Sequence, residues 1–185
     1  MSAGLIAVLV VLGILVLFVI GIFNRLITLK NRMKEAWAQI DVQLKQRSDL
    51  IPNLVETVKG YAAHEKDTLQ KVIEARSQMQ SAGSDVNKVK EADNFLSSTL
   101  KSLFAVTENY PQLKADAHFS ALMTELSGIE SKIAYARQFY NETIKMYNDY
   151  QQQFPGVIFA GIFGHSAGVF FEAAEADRVK PVVKF

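Results

Sequence analysis

The chain contains no cysteine. Disulfides, thiolate zinc sites, iron–sulfur clusters and cysteine nucleophiles are therefore excluded. Neither sign of charge dominates: 20 Lys and Arg stand against 19 Asp and Glu, for a net charge of +1. That balance offers no basic face to nucleic acid, and no nucleic-acid partner is expected. No stretch alternates apolar and polar residues at a period of two, so no sheet is expected. The three histidines, His64, His118 and His165, lie far apart in the chain, and none closes a Glu-x-x-His motif. The donor pattern of a di-iron bundle site is thus missing, and a surface or structural role is expected for His64 and His118. No Gly-x-Ser-x-Gly elbow, P-loop or dinucleotide fingerprint is expected. The expectation is a protein without metal, cofactor or enzymatic activity.

A further absence is local. Residues 2–23, SAGLIAVLVVLGILVLFVIGIF, carry no charge, and Arg25, Lys30, Arg32 and Lys34 follow at once. An uncharged apolar run of this length crosses a bilayer core of about 30 Å as one helix. It is longer than the apolar region of a signal peptide, no basic residue precedes it, and no small-residue cleavage site directly follows it. Residues 1–23 are therefore expected to stay as a transmembrane anchor in the plasma (inner) membrane. The basic residues that follow predict a single-pass orientation, with the N-terminus outside and the C-terminal domain in the cytoplasm. Small residues at Ala3 and Ala7, and at Gly13 and Gly21, would permit close helix contacts in lipid.

Beyond the anchor, about 160 residues remain, enough for one domain with a core. Apolar residues from Leu26 onward step by three and four: Met33, Trp37, Ile40, Leu44, Ile51, Leu54, Val58, Tyr61, then Val72 and Met79. The period is near 3.5, that of a coiled-coil-like buried stripe. The stripe crosses Pro52 in phase and predicts one long kinked helix over about 24–81; the alternative is two helices, with Ser48 or Asp49 as a new N-cap and Pro52 in the first turn. Ser81–Asp85 reads as a loop, with Ser84 or Asp85 capping a helix over about 86–109. Tyr110-Pro111 breaks the chain. A last long helix over about 112–153 carries Phe119, Leu122, Leu126, Ile129, Ile133, Tyr140, Ile144 and Tyr147. The fold class is all-α: an N-terminal transmembrane helix followed by an elongated antiparallel bundle of three or four long helices, over residues 24–153.

Residues 154–172 form a separate apolar stretch rich in Phe and Gly, and 173–185 a loosely ordered tail. The Phe/Gly stretch is expected to pack on the bundle or on a neighbouring subunit, ahead of dipping into the membrane interface. Phe159, Phe163, Phe170 and Phe171 are its candidate interface residues. A second full span is disfavoured, because a helix over 155–171 reaches only about 25 Å. Three helical passes would leave this stretch far from the anchor; four would return it near Arg25–Lys34.

Five charges fall on the apolar stripes: Arg47, Glu65, Arg76, Glu130 and Arg137. A buried charge is costly unless paired. These five are candidate buried ion pairs that fix helix register, for example Arg47 or Arg76 with Glu130, and Glu65 with Arg137, ahead of the alternative of a ligand or proton site inside the bundle. Asn53, Asn109, Asn141 and Asn148, near breaks or aromatic residues, suit caps and side-chain-to-backbone bonds.

The order of the segments resembles the LemA family of bacterial membrane proteins. The resemblance is carried by Trp37-Ala-Gln-Ile-Asp-Val-Gln-Leu-Lys-Gln-Arg-Ser-Asp-Leu-Ile-Pro-Asn-Leu-Val55, Lys59-Gly-Tyr-Ala-Ala-His-Glu65, Glu108-Asn-Tyr-Pro-Gln-Leu-Lys-Ala115 and Glu130-Ser-Lys-Ile-Ala-Tyr-Ala-Arg-Gln-Phe-Tyr-Asn141, with Tyr147-Asn148 and Phe154-Pro155. Met123 stands where the family pattern suggests Gln. The resemblance implies an N-terminal anchor, an up-and-down helical bundle and no assigned reaction. A relative in the magnetosome membrane machinery implies a part in membrane organisation. Two roles follow as expectations. One is a membrane-anchored structural or scaffolding protein, contacting membrane lipid and assembling as a homo-oligomer. The other is a membrane-tethered binding or sensor module for a cytoplasmic protein partner.

Overall fold

A computed structural model describes residues 3–171; the expected tail over 173–185 lies outside them. Among the described residues six helices follow one another: α1 (Ala3–Tyr61), α2 (Lys66–Ser81), α3 (Val86–Thr107), α4 (Pro111–Lys114), α5 (Ala117–Gln152) and α6 (Gly156–Ile162). No strand occurs among the described residues. The all-α class follows from the apolar periodicity and the near absence of helix breakers within each stripe.

The helix predicted over 24–81 is two helices. α1 passes Pro52 unbroken but ends at Tyr61, after Gly60. A turn closes with Ala62 N–H to the Val58 carbonyl at 2.8 Å and Glu65 N–H to the Ala62 carbonyl at 3.1 Å. Glycine weakens a helix interior by about 1 kcal/mol relative to alanine. The stripe stays in phase across the turn because Val58, Ala62, Leu69 and Val72 all enter the same core. Periodicity reports burial, and burial continues through a chain reversal.

The long helix predicted over 112–153 is also interrupted. α4 stops at Lys114, and Asp116 then caps α5: its carboxylate accepts the Phe119 N–H at 2.9 Å. Asp85 caps α3 as expected, accepting the N–H groups of Asn87 and Lys88 at 2.9 and 3.2 Å.

Residues group into two compact units that do not follow chain order. One holds 39–137 and Phe171; the other holds 3–38 and 138–170. In the first, the end of α1, α2, α3, α4 and the start of α5 bury Ile51, Leu54, Val58, Leu69, Val72, Leu96, Leu103, Leu113 and Leu126 together. Arg76 of α2 reaches Ser48 of α1, and Asp93 and Ser97 of α3 stand near Arg137 and Glu130 of α5 through shared bonds. Successive helices in this unit therefore run antiparallel. In the second unit, Trp37 meets Tyr140 at a ring distance of 5.5 Å, and Ile22, Leu26 and Leu29 form a core with Tyr147. Here α1 and α5 again run in opposite directions.

Candidate functional site

Four charges converge in the first unit. Arg47, 1% exposed, is paired with the fully buried Asp93, with Glu130 at 2.8 Å, and with the Ser97 hydroxyl at 3.2 Å. Arg137 pairs with the other oxygen of Asp93, and its guanidinium lies 5.0 Å from the centre of the Phe171 ring. Two guanidiniums and two carboxylates leave the cluster neutral. Asp93 is its centre. Burial is the largest influence on the Asp93 carboxyl and raises its pKa above the usual carboxylate value; the two guanidiniums pull the other way. A groove of about 250 Å³ opens beside the cluster, lined by Arg47, Ser97, Leu100, Phe104, Met123 and Glu130.

The other in-phase charges have different partners. Arg76 donates through Nε to the Ser48 carbonyl at 3.0 Å. Ser48 is four residues before Pro52, so its carbonyl faces the position where proline has no N–H to give. Arg76 thus supplies the bond that Pro52 withholds. Glu65 accepts the Tyr110 hydroxyl at 3.1 Å, and Tyr61 donates to Asp116 at 2.9 Å. These two tyrosine–carboxylate bonds join the α1–α2 turn to the α3–α5 connection. They raise both tyrosine pKa values; the Asp116 carboxyl is lowered, first by the Phe119 N–H and then by Tyr61. Glu65 and Arg137, expected to meet each other, are therefore engaged elsewhere. His64 and His118 are exposed, and no group of three or more metal-ligating side chains occurs among the described residues.

In the second unit the Phe/Gly stretch returns along α1 and α5. The buried side of α6 is Gly156, Phe159 and Ala160. Phe159 packs on the Ile22–Leu26–Leu29–Tyr147 core, and Phe163 meets Phe23 edge-on at 5.0 Å and stacks near Phe159 at 6.2 Å. Gly164, at φ +66°, ends α6: its N–H reaches the Gly161 carbonyl, and the His165 N–H reaches the Ala160 carbonyl at 2.9 Å. That is a Schellman termination. Residues 165–169 then lie along α5. Tyr147 and His165 share a hydrogen bond at 2.9 Å. Gln151 donates to the Ser166 carbonyl, and Tyr140 to the Val169 carbonyl. Asn148 clamps Gly168 by donating to its carbonyl at 3.1 Å and accepting its N–H at 2.8 Å. A Cβ at Gly168 would lie 2.6 Å from Ile144 Cδ1 and 2.9 Å from Met33 Sδ. Phe170 is exposed, whereas Phe171 is 2% exposed beneath Arg137.

The expectation that the chain holds no Gly-x-Ser-x-Gly motif is corrected at one place. Gly164-His165-Ser166-Ala167-Gly168 spells Gly-x-Ser-x-Gly, the pattern of a nucleophile elbow. That chemistry needs a strand, a sharp turn and a helix to present the serine. Here a short helix precedes the motif and an extended segment holds it. Its first glycine is a helix cap, and its second is a close contact with Ile144 and Met33.

The family model described as the LemA family matches residues 36–185. The chain belongs to the LemA family. It is 26% identical to Protein LemA of Metamycoplasma hominis, over 91% of this chain and 77% of that protein. It is also 24% identical to Magnetosome protein MamQ 2 of Paramagnetospirillum magneticum, and 22% to Magnetosome protein MamQ of Magnetospirillum gryphiswaldense. Each match covers 83% of this chain and 66% of the relative. None of these names is that of an enzyme. Family membership and the apolar start of α1, whose large side chains from Leu5 to Ile20 are almost all about half exposed or more, mark a membrane-associated protein.

Proposed function

We propose that the chain is a membrane-anchored, non-enzymatic scaffold that acts as a homo-oligomer in envelope or membrane organisation. The observation that carries this reading is the start of α1. Apart from the half-buried Val19, the large apolar side chains over Leu5–Ile20 are 48% to 70% exposed. In water such a surface is untenable; in lipid it is the expected one. Gly13 and Gly21 have no neighbour within 4 Å where a side chain would begin, which leaves room for a second helix to approach. The basic residues Arg25, Lys30, Arg32 and Lys34 favour an N-terminus outside and a cytoplasmic C-terminal domain in the plasma membrane. In this reading Arg47, Asp93, Glu130 and Arg137 hold the register of three helices and take no part in a reaction. Two relatives carry magnetosome names, which agrees with a role in organising membrane.

Sedimentation or mass photometry of the full-length protein in detergent tests the proposal. A defined assembly of several copies is expected at micromolar concentration. A strict monomer, or a stoichiometric complex with a different protein and no self-association, would overturn it.

A further inference from the structure

α6 is only seven residues long, yet it and its flanks expose an unusual amount of apolar surface. Gly156, Phe159 and Ala160 are its inward side, with Phe159 on the α1 core. The outward side is Val157, Ile158, Gly161 and Ile162, preceded by Phe154; Phe154 is 79% exposed and Ile162 69%. No Asp, Glu, Lys or Arg occurs from Phe154 to Phe171. A soluble helix would carry polar groups on that outer side.

Its position along α1 indicates what covers it. Leu5–Phe23 rises about 28 Å at 1.5 Å per residue, close to the thickness of a bilayer core. Phe23 therefore marks one boundary of the hydrocarbon, and Phe163 touches Phe23. Phe159 packs on the stretch Ile22–Leu29, a rise of about 10 Å from that boundary. This is the depth of the headgroup and upper acyl region. Arg25 is exposed at this level, and Arg32 and Lys34 one to two turns beyond it, where anionic headgroups would meet them.

We infer that residues 154–163 form a second membrane contact, a short collar that lies in the lipid interface beside the foot of the anchor. Its occupant is phospholipid, because its apolar face continues the lipid-facing surface of α1 through the Phe23–Phe163 contact and carries no group that would select a protein. The collar is too short to cross the bilayer. It adds apolar area to the anchor and fixes how deep α1 sits. The Schellman cap at Gly164 and the Asn148 clamp on Gly168 hold the chain after the collar against α5, so that α6 stays at this level.

This inference rests on the anchor reading, and one experiment separates the two. The chain has no cysteine, so single substitutions accept one nitroxide label each. Ile158→Cys, Ile162→Cys, Leu12→Cys and Lys71→Cys would be labelled in the full-length protein and reconstituted into vesicles of phosphatidylethanolamine and phosphatidylglycerol. Accessibility to oxygen, which concentrates in lipid, is compared with that to a water-soluble nickel chelate. The expected result is oxygen-dominated contact at Leu12, Ile158 and Ile162, with the ratio inverted at Lys71. Chelate contact at Ile162 with Leu12 still in lipid overturns the collar alone. Chelate contact at Leu12 overturns the anchor and the collar together. Exclusion of both reagents at Ile162 with spin–spin broadening means that a second copy covers the face, and the collar is again overturned.

Discussion

Replacing Asp93 by Asn isolates what the buried cluster contributes. The carboxylate is fully buried and answers two guanidiniums, one of them 1% exposed. Asn keeps the shape and removes the charge. Arg47 then keeps Glu130 and Ser97 but faces an amide where its buried counter-charge stood. Removing one partner of a buried pair costs about 3–5 kcal/mol. In a chain of this size each kcal/mol moves Tm by about 2–4 °C, so a fall of roughly 6–20 °C is expected. Glu130→Gln is the control: that side chain is 53% exposed and Arg47 retains Asp93, so its loss costs about 1 kcal/mol at most. Arg47→Met with Asp93→Leu is the decisive third variant. Exchanging a buried pair for apolar residues of similar volume is often neutral or better, and Arg137 keeps the Phe171 ring and partial solvent contact. The double variant should therefore regain most of what Asp93→Asn loses. Thermal unfolding of the full-length protein in detergent, followed by circular dichroism, measures all three. A loss below about 1 kcal/mol for Asp93→Asn, or a double variant as unstable as the single one, would refute the reasoning.

Two other predictions concern single bonds. Arg76→Met should cost about 1–3 kcal/mol, because it strips the Ser48 carbonyl of its donor. In a Pro52→Ala background that cost should shrink, since alanine at that position offers its own N–H; equal costs in both backgrounds, measured by denaturant titration, would show that the two sites are not coupled. Asp116 governs part of the acid limb: its folded pKa lies below the ordinary carboxylate value, so its stabilisation is present above that value and is lost as pH falls through the folded value. Asp116→Asn should flatten this part of the pH–stability curve, and an unchanged slope would reject the assignment.

The elements that depend on local chemistry were legible in the sequence. The uncharged run reads as a helix for lipid, the Asp85 cap reads from its position before an apolar stripe, and Tyr110-Pro111 reads as a break. The end of α1 at Tyr61 was not legible, because a buried stripe keeps its phase through a tight turn. Asp93 left a trace: the stripe of α3 steps from Val89 to Leu96 with one position missing, and Asp93 occupies the missing step. A polar residue in the gap of an apolar stripe is itself a signal of a buried charge, and it becomes stronger when stripes elsewhere carry unmatched arginines.

The pairing of the in-phase charges depends on which helices are neighbours, and chain order does not contain that. Arg47, Arg76 and Arg137 look alike as basic residues on apolar stripes, yet they meet different needs. Arg47 and Arg137 answer one buried carboxylate from two sides. Arg76 answers a backbone carbonyl that Pro52 left without a donor. Its long, forked side chain suits this task because Nε can reach an oxygen on another helix from a half-buried position. A proline inside a long helix thus creates a demand on its neighbour: some donor must reach the carbonyl four residues back, or water must. An arginine one helix away, at the level of that carbonyl, is the residue type to look for. Pro52 and Arg76 are separated by a turn that puts α2 antiparallel to α1, so the length of α1 beyond Ser48 and the position of Arg76 within α2 must match for the bond to form. The turn at 62–65 therefore has a fixed place in the chain, which the apolar pattern alone does not express.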